Sequence, residues 1–282
     1  MLQEIVFRFL PSSYYGTVSE TAKKELGGGA VLSEMRLRVE HHCSLTVYKN
    51  GLSRNVKLPF ALSQGEMRDV FAKVCGGSVY AHEESIKEGY VTLRDGVRVG
   101  IGGKAVLRGG EITALCAVES LVFRIPHAVP HAADALLESF RKDESGILLF
   151  APPGCGKTTL LREFAREISR GAKARRVAVI DTRGELCAFE KECLVDVLCG
   201  YPKSTGAEIA LRTLSPEILV MDEIGAREVE ALLTLSSLGV PVVASVHGKS
   251  AEELRNHAVG KLLRAGVFSW LWDVCRGRRE AA

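Results

Sequence analysis

Ile147–Leu148–Leu149–Phe150–Ala151–Pro152–Pro153–Gly154–Cys155–Gly156–Lys157–Thr158–Thr159 decides the fold of this chain. Four apolar residues, a glycine-rich turn and an amphipathic run (Leu160, Leu161, Phe164, Ala165, Ile168) read as strand, loop and helix. In that context the turn is a phosphate-binding loop. Small residues leave backbone N–H groups free to wrap phosphate oxygens, and the helix N-terminus adds a favourable dipole. Pro153, Gly154, Cys155, Gly156, Lys157, Thr158 and Thr159 are the candidate nucleotide-binding residues. Lys157 is placed to reach the β- and γ-phosphates, and the Thr158 hydroxyl to ligate Mg2+. Ala151 stands where such loops usually begin with glycine. The expected ligand is a nucleoside triphosphate.

A second apolar run, Ile218–Leu219–Val220–Met221, ends in Asp222–Glu223. Such a run reads as a strand buried on both faces, as in a parallel sheet. Asp222 is the candidate Mg2+ ligand together with Thr158. Glu223 is the candidate general base for an attacking water. Two more apolar strands end in polar residues: Val177 to Ile180 before Asp181, and Val240 to Val246 before His247. Open α/β sheets bind ligands outside the carboxyl ends of their strands, which makes His247 a candidate γ-phosphate contact, while Asp181 and Glu185 are candidates to support the Mg2+ ligands or orient water around the ion. No Lys is followed two positions later by Asp, as a guanine reader requires, and no Leu-Ser-Gly-Gly signature occurs. ATP is therefore expected rather than GTP.

The 282 residues are enough for two cores, and 46% hydrophobic with 25% charged residues exclude a disordered chain. No apolar run reaches the length of a membrane span, and the N-terminal segment lacks a signal-peptide core. A net charge of only +3 argues against nucleic acid as the main partner. The eight cysteines, including the evenly spaced Cys187, Cys193 and Cys199, lack the close pairs of zinc sites and read as free thiols of a cytoplasmic protein.

Upstream of the loop, a separate α+β pattern is expected. Leu2, Ile5, Val6, Phe9 and Leu10 have helical spacing up to Pro11, and Met35, Leu37 and Val39 alternate as in a half-buried strand. Ser63 and Glu66 form a capping box for a helix carrying Met67, Val70, Phe71 and Val74. Asp95–Gly96 is expected to join a hairpin of Tyr90–Arg94 and Val97–Ile101, with a second turn at Gly109–Gly110.

Glu34–Met35–Arg36–Leu37–Arg38, Gly89–Tyr90–Val91–Thr92–Leu93, Gly96–Val97–Arg98–Val99–Gly100, the phosphate loop, Asp222–Glu223–Ile224–Gly225 and His247–Gly248 together resemble the stage III sporulation protein AA family. That family is similar to the secretion and pilus-motor ATPases. The resemblance implies an α/β fold: a RecA-like P-loop ATPase core over residues 129–282, with a smaller N-terminal α+β assembly domain over residues 1–128. It implies a homo-oligomer, a hexameric ring, docked on membrane channel proteins at the mother-cell side of the forespore membrane. It also implies arginines of the N-terminal domain that reach the γ-phosphate. Arg98 and Arg124 occupy the matching places, and Arg212 is a further candidate. The family's Asp-Glu-Arg-Ser-Glu is Asp181–Thr182–Arg183–Gly184–Glu185 here, with Thr182 replacing one acid. Three functions remain open at this level: an ATP-hydrolysing motor, a nucleotide-gated structural subunit with little hydrolysis, and a nucleic-acid translocase.

Overall fold

Alternating apolar residues form strands of one sheet and continuous apolar runs form strands of another in a computed structural model that describes residues 6–49, 52–93, 96–126, 129, 131–182, 184–186 and 189–282. The chain divides into two units, Met1–His127 and Ala128–Ala282.

The first unit is built on an antiparallel sheet of β1 (Val31–Arg38), β2 (Ser44–Lys49), β3 (Leu52–Lys57), β4 (Tyr90–Thr92), β5 (Arg98–Arg108) and β6 (Glu111–Arg124), in the order β3-β2-β1-β6-β5-β4. Met35, Leu37, Val99 and Phe123 point to one face, where Met67 and Val70 of α2 (Gln64–Val74) join the same core. The expected capping box is formed: Ser63 Oγ accepts from Glu66 N at 3.2 Å, and Ser63 N donates to Glu66 Oε2 at 2.8 Å. The expected hairpin pairs Val91 with Val99, and its turn residues Arg94 and Asp95 lie outside the described residues, as do Leu2 and Ile5. Pro11 does more than end a run of apolar residues. It precedes α1 (Ser12–Glu25), to which the sequence gives little signal because only Val18 and Ala22 are buried. Proline suits this place, where its missing N–H has no helical partner to lose. A short α3 (Glu83–Lys87) precedes β4.

The second unit holds β7 (Ile147–Ala151), β8 (Val177–Asp181), β9 (Val195–Cys199), β10 (Ile218–Met221), β11 (Val242–His247), β12 (Trp270–Asp273) and β13 (Arg278–Ala281). Their order is β13-β12-β7-β11-β10-β8-β9, parallel from β12 to β9 with an antiparallel edge at β13. Helices α4 (Asp134–Asp143), α5 (Lys157–Ile168), α6 (Lys203–Ile209), α7 (Val229–Leu235), α8 (Ala251–Asn256) and α9 (Gly260–Arg264) cover it. Successive residues of one strand enter two different cores. Leu148, Phe150, Leu219 and Met221 fill one layer, and Ile147, Leu149, Ile218 and Val220 the other. That is why these strands read as continuous apolar runs instead of alternating ones. Among the described residues no helix is long and apolar enough to cross a membrane.

Candidate nucleotide site

β7 ends at Ala151, and α5 begins at Lys157 after Gly156, whose φ of 86° is left-handed. Gly154 is left-handed too, at φ 78°. Side chains at these two positions would be strained, so glycine is what lets the loop turn back onto the helix. Ala151 is not among the residues with positive φ, so the chain needs no glycine there. Pro153, Gly154, Cys155 and Gly156 are exposed, and Thr158 and Thr159 are half-buried on the first turn of α5. The loop therefore opens to solvent while its lysine does not.

Lys157 is only 5% exposed. Its Nζ donates to Ala151 O at 2.8 Å and to Pro152 O at 3.0 Å, and lies 3.0 Å from His247 Nδ1. The parallel pairing of β7 with β11 sets His247 opposite Ala151, which brings this histidine to the loop. His247 Nε2 lies 3.0 Å from Glu223 Oε1. A continuous polar chain thus runs from the loop lysine to the expected general base.

Asp222 is buried where β10 ends. Its Oδ2 accepts from Thr158 Oγ1 at 3.2 Å and its Oδ1 from Ser245 Oγ at 2.8 Å. Burial pushes the Asp222 carboxyl above its ordinary pKa and the Glu223 charge adds to that, whereas the Ser245 and Thr158 hydroxyls and the Lys203 charge act the other way. A buried carboxylate beside a hydroxyl is a set of hard oxygen donors suited to Mg2+, and a cation there would offset its desolvation.

Glu223 adopts φ 44°, left-handed for a residue with a side chain. Such a conformation costs on the order of 1–3 kcal/mol and persists only where surroundings over-determine it. Here Glu223 N donates to Ser245 Oγ at 3.0 Å, Ile224 N donates to Ser245 O at 2.8 Å, and Lys203 Nζ donates to Glu223 O. The turn holds the Glu223 side chain toward His247 instead of continuing the strand.

Lys157, Thr158, Asp222, Glu223 and His247 are thus brought together at one sheet edge. Sequence reasoning missed Ser245 and Lys203. Ser245 was detectable as the one polar residue within a buried strand, whereas Lys203 follows Pro202 with no local mark. Asp181, expected to act around Mg2+, is also bonded to its own turn. Its two oxygens accept from Glu185 N at 3.0 Å and Leu186 N at 2.7 Å, so the buried carboxylate ties its own turn.

Arg98 and Arg124 belong to the first unit. They are directly opposed in the β5–β6 register, and Arg98 Cζ sits 3.8 Å from the Tyr90 ring centroid. Arg212 pairs with Glu208 at 2.8 Å one helical turn away.

The family model described as "Sporulation stage III, protein AA" matches residues 9–273. The stage III sporulation protein AA of Bacillus subtilis (strain 168) is 31% identical over 286 residues, covering 95% of this chain and 90% of that protein. Among solved structures, the ATPase DotB of Legionella pneumophila aligns with a TM-score of 0.60 at 18% identity, over 93% of this chain and 76% of that one. The pilus retraction motor PilT, solved with bound ADP, aligns at 0.59 and 16%, over 90% and 77%. At these identities the likeness shows the fold: a RecA-like P-loop core with a smaller N-terminal α+β domain.

Proposed function

The chain belongs to the sporulation stage III protein AA family, and from that premise we propose that it binds ATP with Mg2+ and hydrolyses it as the motor subunit of a secretion-like channel complex in endospore formation. One observation carries the reading: a lysine, a hydroxyl, a buried carboxylate and a second carboxylate held by a histidine meet at the phosphate loop. A nucleotide-free strand–helix turn has no use for that set.

Bound MgATP supplies the phosphoanhydride to be cleaved and the divalent charge. Lys157 exchanges its contacts with the Ala151 and Pro152 carbonyls and His247 for β- and γ-phosphate oxygens, aided by the N–H groups of residues 154–159. Thr158 and Asp222 hold Mg2+. Glu223 orients the attacking water and accepts its proton, with His247 setting the direction of the carboxylate. Arg98 and Arg124 supply further positive charge to the γ-phosphate, within a subunit or from a neighbour in a homo-oligomeric ring. The ring, hexameric as the resemblance implies, works at the mother-cell side of the forespore membrane against membrane channel proteins.

Phosphate release by the purified chain, measured beside equilibrium binding of ATP, tests this reading. Turnover that requires Mg2+ and vanishes in Glu223→Gln supports it. Tight binding without turnover would instead make the protein a nucleotide-gated structural subunit, and absence of binding would overturn both.

A further inference from the structure

The sheet register brings a second cysteine to the phosphate loop. β12 runs parallel to β7 with Asp273 opposite Phe150, and Val274 N donates to Phe150 O at 3.1 Å. The turn after β12 therefore starts beside the point where the phosphate loop starts. Asp273 closes that turn, its Oδ1 accepting from Arg276 N at 3.1 Å and its backbone O from Gly277 N at 2.8 Å. Cys275 lies on this turn and Cys155 on the loop, and both are exposed. That register sets the turn within reach of the loop, and the neighbouring Cys155 thiol is the chief cause holding Cys275 above its ordinary pKa, with the Lys157 charge opposing it. Cys43 and Cys75 are buried in the core of the first unit, far in sequence from this edge.

We propose that Cys155 and Cys275 form a redox switch, in which a disulfide between them pins the phosphate loop to the turn after β12 and shuts out nucleotide. The inference rests on the nucleotide reading given above.

A peroxide is the oxidant. The Cys155 sulfur attacks one peroxide oxygen; the S–O bond forms, the O–O bond breaks, and water leaves, giving a sulfenic acid. The Cys275 sulfur then attacks the Cys155 sulfur; the S–S bond forms, the S–O bond breaks, and a second water leaves. Two thiols have lost two electrons and two protons, and one peroxide has become two waters. Exchange with a dithiol restores the pair.

The consequence for nucleotide follows from the loop's construction. A disulfide holds its two Cα atoms within about 4.4–6.8 Å and fixes the Cβ directions. The left-handed glycines on either side of Cys155 give the loop the freedom to reach that geometry. The same freedom is what the reduced loop uses to wrap phosphate, and the tether removes it.

The test oxidises the full chain with hydrogen peroxide and maps its disulfides by mass spectrometry of an unreduced digest, beside binding of a fluorescent ATP analogue. A cross-linked pair of peptides holding Cys155 and Cys275, with affinity falling by about tenfold or more and returning on dithiol treatment, is the expected result. Cys275→Ser should bind as the reduced wild type does, before and after peroxide. Equal loss in Cys275→Ser would assign the effect to Cys155 alone and overturn the pair. Binding intact with no cross-link, or a cross-link without loss of affinity, would overturn the switch by itself. A reduced wild type that binds no nucleotide would overturn the nucleotide reading and the switch together, a pattern distinct from the others.

Discussion

Lys157 Nζ sits 3.0 Å from His247 Nδ1, and the opposite nitrogen of the same ring sits 3.0 Å from Glu223 Oε1. An ammonium has three donors and no acceptor, and Lys157 has three acceptors around it. His247 Nδ1 must therefore accept, which leaves the ring proton on Nε2, aimed at Glu223. The imidazole links the residue proposed to contact phosphate to the residue proposed to act on water.

That tautomer is testable directly. Nitrogen NMR of the nucleotide-free protein should report His247 with its proton on Nε2. ATP binding, by withdrawing Lys157, should change the Nδ1 signal. A ring protonated at Nδ1 in the free protein would break the proposed link.

Ser245 is the hidden support of the site. Its hydroxyl accepts from Glu223 N and donates to Asp222 Oδ1 while fully buried. Ser245→Ala leaves both partners short of a bond in a buried place, at a loss of about 1–3 kcal/mol. Denaturant unfolding should show that loss together with weaker Mg2+-dependent nucleotide binding. Stability within about 0.5 kcal/mol of the wild type would remove Ser245 from this role.

Burial of Asp222 costs stability. Burial raises its folded pKa above the unfolded value of 3.8, so between the two the folded state holds the extra proton. With more protons on the folded form, stability falls as pH rises through that window, and the penalty stays above it. Asp222→Asn removes the charge and should stabilise the magnesium-free protein at neutral pH, flattening this part of the pH profile. The same variant should lose Mg2+-dependent nucleotide affinity. A variant less stable than wild type at neutral pH would contradict the sign.

The outcome for the arginines turns on a register pair. Arg98 faces Arg124 across β5 and β6, and like charges directly opposite destabilise a sheet. Glu34 faces Arg124 from β1 on the other side, so the two cross-strand effects oppose each other and Arg124→Ala should leave thermal stability close to wild type and ATP affinity intact. Turnover should fall on the order of 10³-fold if the residue serves the γ-phosphate. Mixing Arg98→Ala with Glu223→Gln restores activity only if the arginine acts across a subunit boundary. Wild-type turnover in both arginine variants would exclude them.

Much of the RecA-like core was legible because its signals are local. Ile147–Phe150, the loop and the helix beyond form one continuous segment, and Ser63 with Glu66 needs only three residues to make its cap. What escaped depends on pairing between distant strands. Ser245 meets Asp222 only because Met221 pairs with Ala244, and Cys275 meets the loop only because β12 lies beside β7. α1 escaped for another reason: Val18 and Ala22 alone are too sparse an apolar stripe to show helical period. The bonds from Asp181 to its own turn were not legible, because a strand-end acid looks the same in sequence whether it faces a ligand or its own backbone.

The most direct test measures what stays bound when the two proposed roles are separated. Glu223→Gln and Lys157→Ala are each incubated with MgATP, and bound nucleotide is identified beside turnover. Glu223→Gln should retain ATP uncleaved at near wild-type affinity, because that carboxylate acts on water. Lys157→Ala should bind little nucleotide, because it loses the charge facing the phosphates. Turnover at the wild-type rate in Glu223→Gln would contradict the account.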